Sequence, residues 1–284
     1  MARLSGRFQL GEFDVAAVSD GIGGQDPEDW FPNVDPSDWM AAVGAVDPTA
    51  QLPVNFGSFL VQGGGRTYLI DSDNGERTRG QHEGAGELLE RIGEYGVGPD
   101  QIDVVLLTHL HGDHVGWNVR EDGSPTFPNA RYLVSQTECD YWLSPEAPSD
   151  REAAFSQSRT QPLMDAGQLD TVDGEHVVTA GLSMVPTPGH TVGHCSVVLS
   201  SEGERLIILG DVAPHPAHLE HPDWRPVFDH EPDRAVETRR ALARDAAEAG
   251  TLLTGGHFPI LSVGRLRRVA TGFRWELVEL DEFE

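Results

Sequence analysis

A chain of 284 residues can bury a substantial core in one large domain or two small ones, and its 38% hydrophobic and 23% charged residues fit neither a disordered nor a membrane-spanning protein. Forty-six acids against twenty bases leave a formal charge of −26, and every base is arginine; such a polyanion repels phosphate backbones, which excludes nucleic acid as a partner, and the missing lysine excludes Schiff-base chemistry and a P-loop. No apolar run reaches the ~20 residues of a bilayer-spanning helix, and residues 1–15 lack the apolar stretch of a signal peptide, so no membrane partner is expected and the expected location is cytoplasmic.

In chain order, residues 15–18 form a short apolar strand that ends at the turn signal Ser19-Asp20-Gly21. Residues 23–53, rich in Gly, Pro, Asp and Trp, read as a long loop with one helical turn near 36–43. Strands at 55–62 and 67–71 flank Gly63-Gly64-Gly65, a hairpin signal. Leu88, Leu89, Ile92 and Tyr95 recur at helical spacing, predicting a helix over 84–95. The run at 103–108 reads as a strand buried on both faces, and 130–135 as another. A mostly helical stretch follows at 136–169, broken near 145–149. Strands resume at 176–179, 182–185, 195–200 and 205–209. An amphipathic helix over 233–249 ends at Gly250, and strands at 251–253 and 273–278 close the pattern. No linker interrupts it, so residues 1–284 are expected to form a single domain of two packed sheets with helices outside.

The strand at 103–108 runs directly into His109-Leu110-His111-Gly112-Asp113-His114. Alternate residues of extended chain project to one side, so His109 and His111 can reach a common point, with Asp113 and His114 following at the turn. Imidazole and carboxylate in this density suit zinc, iron, manganese and similar ions. His190, Asp211 and His257 share the same context, each a polar residue preceded by glycine just after a strand. Seven candidate ligands exceed the needs of one tetrahedral ion; two ions bridged by a carboxylate would use them all.

These motifs, with Pro188-Gly189-His190-Thr191-Val192-Gly193-His194 and Gly210-Asp211, resemble the metallo-β-lactamase-fold hydrolases over residues 15–275. The resemblance implies an α/β (α+β) four-layer αββα sandwich with a dinuclear site at one edge. It implies that His109, His111 and His190 hold the first ion, that Asp113, His114 and His257 hold the second, and that Asp211 bridges them. The ions would be zinc first, with iron, manganese or cobalt as alternatives. Asp71 and His194 would support the ligands from behind. The family's β-lactamases that hydrolyse antibiotics typically place a cysteine at the position of Asp211, so the set looks instead like the lactonase and organophosphate-hydrolase branch. Unlike acyl-homoserine lactonases, which usually carry a tyrosine just after this aspartate, the chain continues Val212-Ala213-Pro214.

The expected activity is hydrolysis by a metal-bound hydroxide of a small ester, lactone, thioester or phosphotriester, with Asp113 as the catalytic carboxylate that orients the nucleophile and passes a proton. Two other readings are an iron-dependent oxidoreductase of the same fold, akin to persulfide dioxygenases, and a non-catalytic metal-binding or ligand-binding protein. Trp30, Phe31, Trp39, Trp117 and Phe258 are candidates for a hydrophobic substrate pocket, so the expected partner is a small, hydrophobic molecule; a homodimer is compatible with the sequence. His215, His218 and His221 read as a surface loop beside the pocket, and His82, His176 and His230 as surface residues. Cys195 reads as a small buried apolar residue, and with Cys139 it makes no disulfide framework. Arg265 reads as a salt-bridge residue.

Overall fold

The protein is described here by a computed structural model that covers residues 5–144, 151–259 and 262–279. The first sheet is seven-stranded, with β1 (Ser5–Leu10), β2 (Phe13–Gln25), β3 (Leu52–Gly63), β4 (Arg66–Ile70), β5 (Val104–Leu106), β6 (Arg131–Ser135) and β7 (Leu169–Val172) side by side in that order. The two-residue turn Gly64-Gly65 joins β3 to β4 with φ of 60° and 76°, angles that match the twist of a hairpin and that glycine adopts freely. From β4 onward the pairs are parallel, which requires crossovers: α3 (Leu88–Gly93) before β5, α4 (Gly112–Val115) before β6, and α5 (Gln136–Trp142) and α6 (Arg151–Asp165) before β7.

The second sheet contains β8 (His176–Thr179), β9 (Leu182–Pro186), β10 (Cys195–Ser201), β11 (Glu204–Ile208), β12 (Leu252–Thr254), β13 (Gly264–Val269) and β14 (Gly272–Leu277), again in sequence order. Its one parallel pair, β11 with β12, is bridged by α8 (Pro232–Ala249). Ala235, Val236, Leu242, Ala243 and Ala246 repeat at helical spacing along the buried face of α8. Gly250, at φ 66°, ends it.

Strand periodicity explains the layering. Val15 and Ala17 of β2 meet Val197 and Leu199 of β10 in the core between the sheets. Their neighbours Ala16 and Val18 face the other way, into a cluster with Leu88, Ile92 and Trp142 from the helices. Val198 likewise turns outward toward Leu242 and Ala243 of α8. The result is the four-layer αββα sandwich of the metallo-β-lactamase fold, with an apolar core on both faces of each sheet.

Some expectations change. The long loop is shorter than its composition suggests: β2 runs to Gln25, β3 starts at Leu52, and α1 (Pro27–Trp30) and α2 (Pro36–Val43) fill the space between. Pro27 and Pro36 start these helices at the first turn, and Asp26 and Asp35 cap them. The helix expected over 84–95 is confined to α3, because Gly84 and Gly86 hold left-handed φ of 72° and 73°. Strands β1, β7 and β13 carry no long apolar run and were not anticipated. The expected break at 145–149 lies outside the described residues.

Candidate metal centre

The seven candidate ligands come together at one edge of the sandwich, where β5, β9, β11 and β12 end and their loops begin. His109 and His111 lie on the extended segment after β5, and α4 then turns the chain so that Asp113 and His114 point back. His109, His111, His190 and Asp211 form one group of converging donor atoms, and Asp113, His114 and His257 a second. Asp211 Oδ2 stands between them. It lies 3.8 Å from His109 Nε2 and 3.3 Å from His190 Nε2 on one side, and 3.5 Å from His114 Nε2 and 3.3 Å from His257 Nε2 on the other.

The donor set fits divalent ions on three counts. His111 Nδ1 is 3.1 Å from His109 Nε2 and 3.0 Å from His190 Nε2, close to the ~3.3 Å edge of a tetrahedron built on zinc–nitrogen bonds of about 2.0–2.1 Å. His114 Nε2 and Asp211 Oδ1 are buried without a hydrogen-bond partner, which costs free energy unless a cation satisfies them. The third count is electrostatic. Burial, followed by the neighbouring imidazoles, pushes His109 well below the ordinary histidine range and His111 down to about 3, so both offer neutral lone pairs. Burial also opposes charge on His114 and His257, yet Asp211 and the other carboxylates outweigh it and raise both. Asp113 and Asp211 are correspondingly held low despite their own burial, chiefly by His114 and His257.

The candidate ligands are fixed from behind by hydrogen bonds that choose the imidazole tautomer. His114 Nδ1 lies 2.9 Å from Asp71 Oδ2, and Asp71 also accepts from the backbone N–H and hydroxyl of Thr108, 2.8 Å each. Asp71 holds φ at 60°, which aspartate tolerates better than most residues. His257 Nδ1 faces the Asn55 carbonyl at 2.8 Å, and the Asn55 side chain in turn donates to Gly256 O. His194 is not among the converging ligands. Its Nε2 accepts from the Asp211 backbone N–H at 2.9 Å, and burial keeps its pKa down at about 3. A Cβ at Gly210, where φ is 57°, would lie 2.6 Å from that nitrogen, so only glycine lets Asp211 reach its place.

Several supporting residues went unrecognised in the sequence. Glu138, buried in α5, accepts from Leu110 N, Gly193 N, Thr191 Oγ1 and Trp142 Nε1, tying the two histidine-bearing loops together. Asp229 Oδ1 faces His190 Nδ1 at 3.4 Å, and its other oxygen accepts from the fully buried Arg239 at 2.9 Å. Asp20 accepts from Leu88 N, Gly75 N and Trp117 Nε1. Only Glu138 carried a sequence signal, an acid at the first turn of a helix; the others depend on contacts distant in the chain.

A cavity of about 430 Å³ opens over the site and is lined by five of the seven candidate ligands, all but His109 and His114. Of the five aromatic pocket candidates it takes only Trp30. Phe31 and Trp39 belong to the same buried apolar cluster as Trp30 but do not line the cavity, Trp117 is buried against Asp20, and Phe258 is buried beneath Trp275. Val54, Phe56, Pro214 and Phe228 supply the remaining aromatic and aliphatic lining. The histidine cluster also differs from expectation. His215 and His218 are buried against Trp30 and Phe31, with pKa lowered by burial to about 3 and 4, because α7 (Ala217–Glu220) packs under α1; His221 alone is exposed and stacks on Trp224. His82 is half-buried beside Phe56, unlike the exposed His230, and His176 is partly buried. Arg265 is exposed. Cys139 and Cys195 are both buried free thiols.

The chain is similar to N-acyl homoserine lactonase AiiA of Bacillus thuringiensis subsp. kurstaki, 25% identical over 171 residues, which are 60% of this chain and 60% of that protein's length. A Bacillus cereus N-acyl homoserine lactonase is 26% identical over 122 residues, covering 43% of this chain and 41% of the relative. The fold superimposes on AbOPH, a hydrolase of the beta lactamase superfamily, with a TM-score of 0.86, 26% identity and 99% coverage of both chains. It also superimposes on AidC, a dizinc quorum-quenching lactonase, with a TM-score of 0.88, 22% identity and coverage of 98% of this chain and 99% of that one. Residues 58–257, most of the chain and all seven converging side chains, match the family model itself, and the protein therefore belongs to the metallo-beta-lactamase superfamily.

Proposed function

We propose that this chain is a single-domain hydrolase that holds two divalent metal ions, zinc first among them, and cleaves a small ester, lactone, thioester or phosphotriester. The observation that carries this reading is Asp211 Oδ2, set within 3.8 Å of four imidazole nitrogens drawn from both donor groups. His109, His111 and His190 would hold one ion, Asp113, His114 and His257 the other, and Asp211 would be shared. Divalent ions so held would acidify a water and polarise a carbonyl or phosphoryl oxygen. Asp113 keeps 30% of its side chain exposed against 7% for Asp211, so of these two cavity-lining carboxylates it is the more accessible. It orients the attacking water and passes a proton from a carboxylate oxygen to the leaving group. Trp30, Val54 and Phe56 favour a hydrophobic acyl or aryl group. The lactonase names of the relatives, and the homoserine product bound to AidC, support a lactone within the substrate set.

Elemental analysis and a panel of lactone, ester, thioester, phosphotriester and β-lactam substrates test the proposal. Asp211→Ala should lower metal content and turnover together, since it removes the one oxygen common to both groups. Unchanged metal content and rate on the best substrate would overturn the shared role. One iron per chain without hydrolysis would overturn the hydrolase reading itself.

A further inference from the structure

The loop after β4 places two residues with unpaired side-chain donors in the cavity wall. Arg77 is accessible to solvent, yet its plane is fixed: its guanidinium carbon lies 3.4 Å from the centre of the Phe155 ring, and Nε donates to the Asn74 carbonyl at 3.2 Å. Its terminal amines form no ion pair within 4 Å among the described residues. Three residues earlier in the chain, Asn74 is 8% exposed and its Nδ2 is buried without a hydrogen-bond partner. Both residues line the metal-centre cavity. A Cβ placed on Gly112 would sit 3.2 Å from Arg77 Nη2, so this amine lies against the backbone immediately before Asp113. The nearest carboxylates are Glu152, which accepts from Gly112 N, and Asp113 itself, a candidate ligand.

We propose that Arg77 and Asn74 form a subsite for a carboxylate carried on the leaving-group half of the substrate. This deepens the hydrolase reading and rests on it, because the side of the cavity next to Asp113 is the side where the leaving group takes its proton. A pinned guanidinium presents two parallel N–H donors that match the two oxygens of a carboxylate, and the Asn74 amide adds a third. The preferred substrate is then an acyl ester or thioester whose alcohol or thiol portion bears the carboxylate, with the acyl chain against Trp30, Val54 and Phe56. The subsite also has a long-range task. The chain carries −26, which disfavours the approach of any anion, and Arg77 provides local attraction at the point of entry.

The test compares para-butanoyloxybenzoate with its methyl ester, two substrates that share the scissile bond and ring and differ in the leaving-group carboxylate. The metal-loaded protein should favour the carboxylate in kcat/KM by about tenfold, the scale of a charge-assisted hydrogen-bond pair. Arg77→Met should erase that ratio or reverse it, and Arg77→Lys, which keeps the charge without the fork, should retain an intermediate ratio. An equal loss on both substrates, or a wild-type ratio near one, overturns the proposal. So does a preference seen only with para-butanoyloxyphenyl phosphate, which would assign the donors to phosphate. Calorimetric binding of para-hydroxybenzoate to the wild type and to Arg77→Met separates this proposal from the hydrolase reading. If neither ester turns over but the benzoate binds the wild type about tenfold more tightly, the hydrolase reading fails and the anion subsite stands. Equal binding to both proteins overturns the subsite.

Discussion

Arg239 is fully buried in α8, and its guanidinium donates to Asp229 Oδ2 at 2.9 Å, to Trp224 O at 3.2 Å, and to Val212 O and Pro222 O at 3.3 Å each. It holds together the segment from 212 to 229, which begins one residue after Asp211 and ends on the carboxylate facing His190. In Arg239→Met the stem and its packing survive, but a buried carboxylate and three carbonyls lose their donor. Breaking a buried ion pair by removing one partner costs about 3–5 kcal/mol. The three carbonyl bonds are long, and each adds only ~0.5 kcal/mol. A loss of about 5 kcal/mol is therefore expected, a large share of the ~5–15 kcal/mol available to a domain. Removing the stranded carboxylate as well, in Arg239→Met/Asp229→Leu, should recover roughly 2 kcal/mol of that loss, because an apolar pair tolerates burial better than a lone charge. Urea unfolding of the metal-loaded proteins, with m-values checked for constancy, measures both quantities. A single-variant loss below ~1 kcal/mol, or a double variant no more stable than the single, would refute the assignment of Arg239 as the counter-charge on which this segment depends.

Two further outcomes follow from the buried carboxylates. Asp71→Asn retains shape but exchanges the acceptor of His114 Nδ1 for a weaker one, so metal affinity in a competition titration against a chelator should fall by about 10–100-fold with little change in the apo fold; unchanged affinity would sink the supporting role. Burial raises Asp20 to about 7, against the lowering effect of its bonds to Leu88, Trp117 and Gly75. Asp73 beside it is pushed well up, first by burial and then by the charge of Asp20. The unfolded value is ~3.9, so the stability that neutral Asp20 contributes is complete below about pH 4 and is lost as pH rises toward 7. Asp20→Asn should accordingly be less stable than the wild type at pH 5, since its amide must face a donor, while its stability declines less between pH 5 and 8. A parallel decline in thermal unfolding of the two proteins would rule out Asp20 as the titrating group.

What the sequence by itself determined was local. Short continuous apolar runs mark β2, β3, β10 and β11, whose residues are buried on both faces, and residues 233–249 carry the periodicity of α8 within one residue of its observed start. The ligand types, their spacing at 109–114 and the glycine-preceded His190, Asp211 and His257 were also legible, because a metal site concentrates side chains that are rare together for any other reason. Strands β7 and β13 were not legible. β7, at the edge of its sheet, exposes half its residues, and β13, although flanked by β12 and β14, mixes Gly, Arg and Leu, so neither carries a long apolar run; the alternation in β13 was a usable sign. Tertiary structure alone decided which aromatic residues face the cavity. Trp30 and Phe31 are adjacent and equally apolar, yet the packing of α1 on α7 turns one toward the metal centre and the other into the protein. It also decided that Asp229 and Arg239 belong to His190, and Asn55 to His257. The carbonyl of Asn55 lies 202 residues before the histidine it orients. Folding brings such partners together because two sheets must bury their faces against each other, and no local pattern in the chain encodes where the loops of one sheet will meet those of the other.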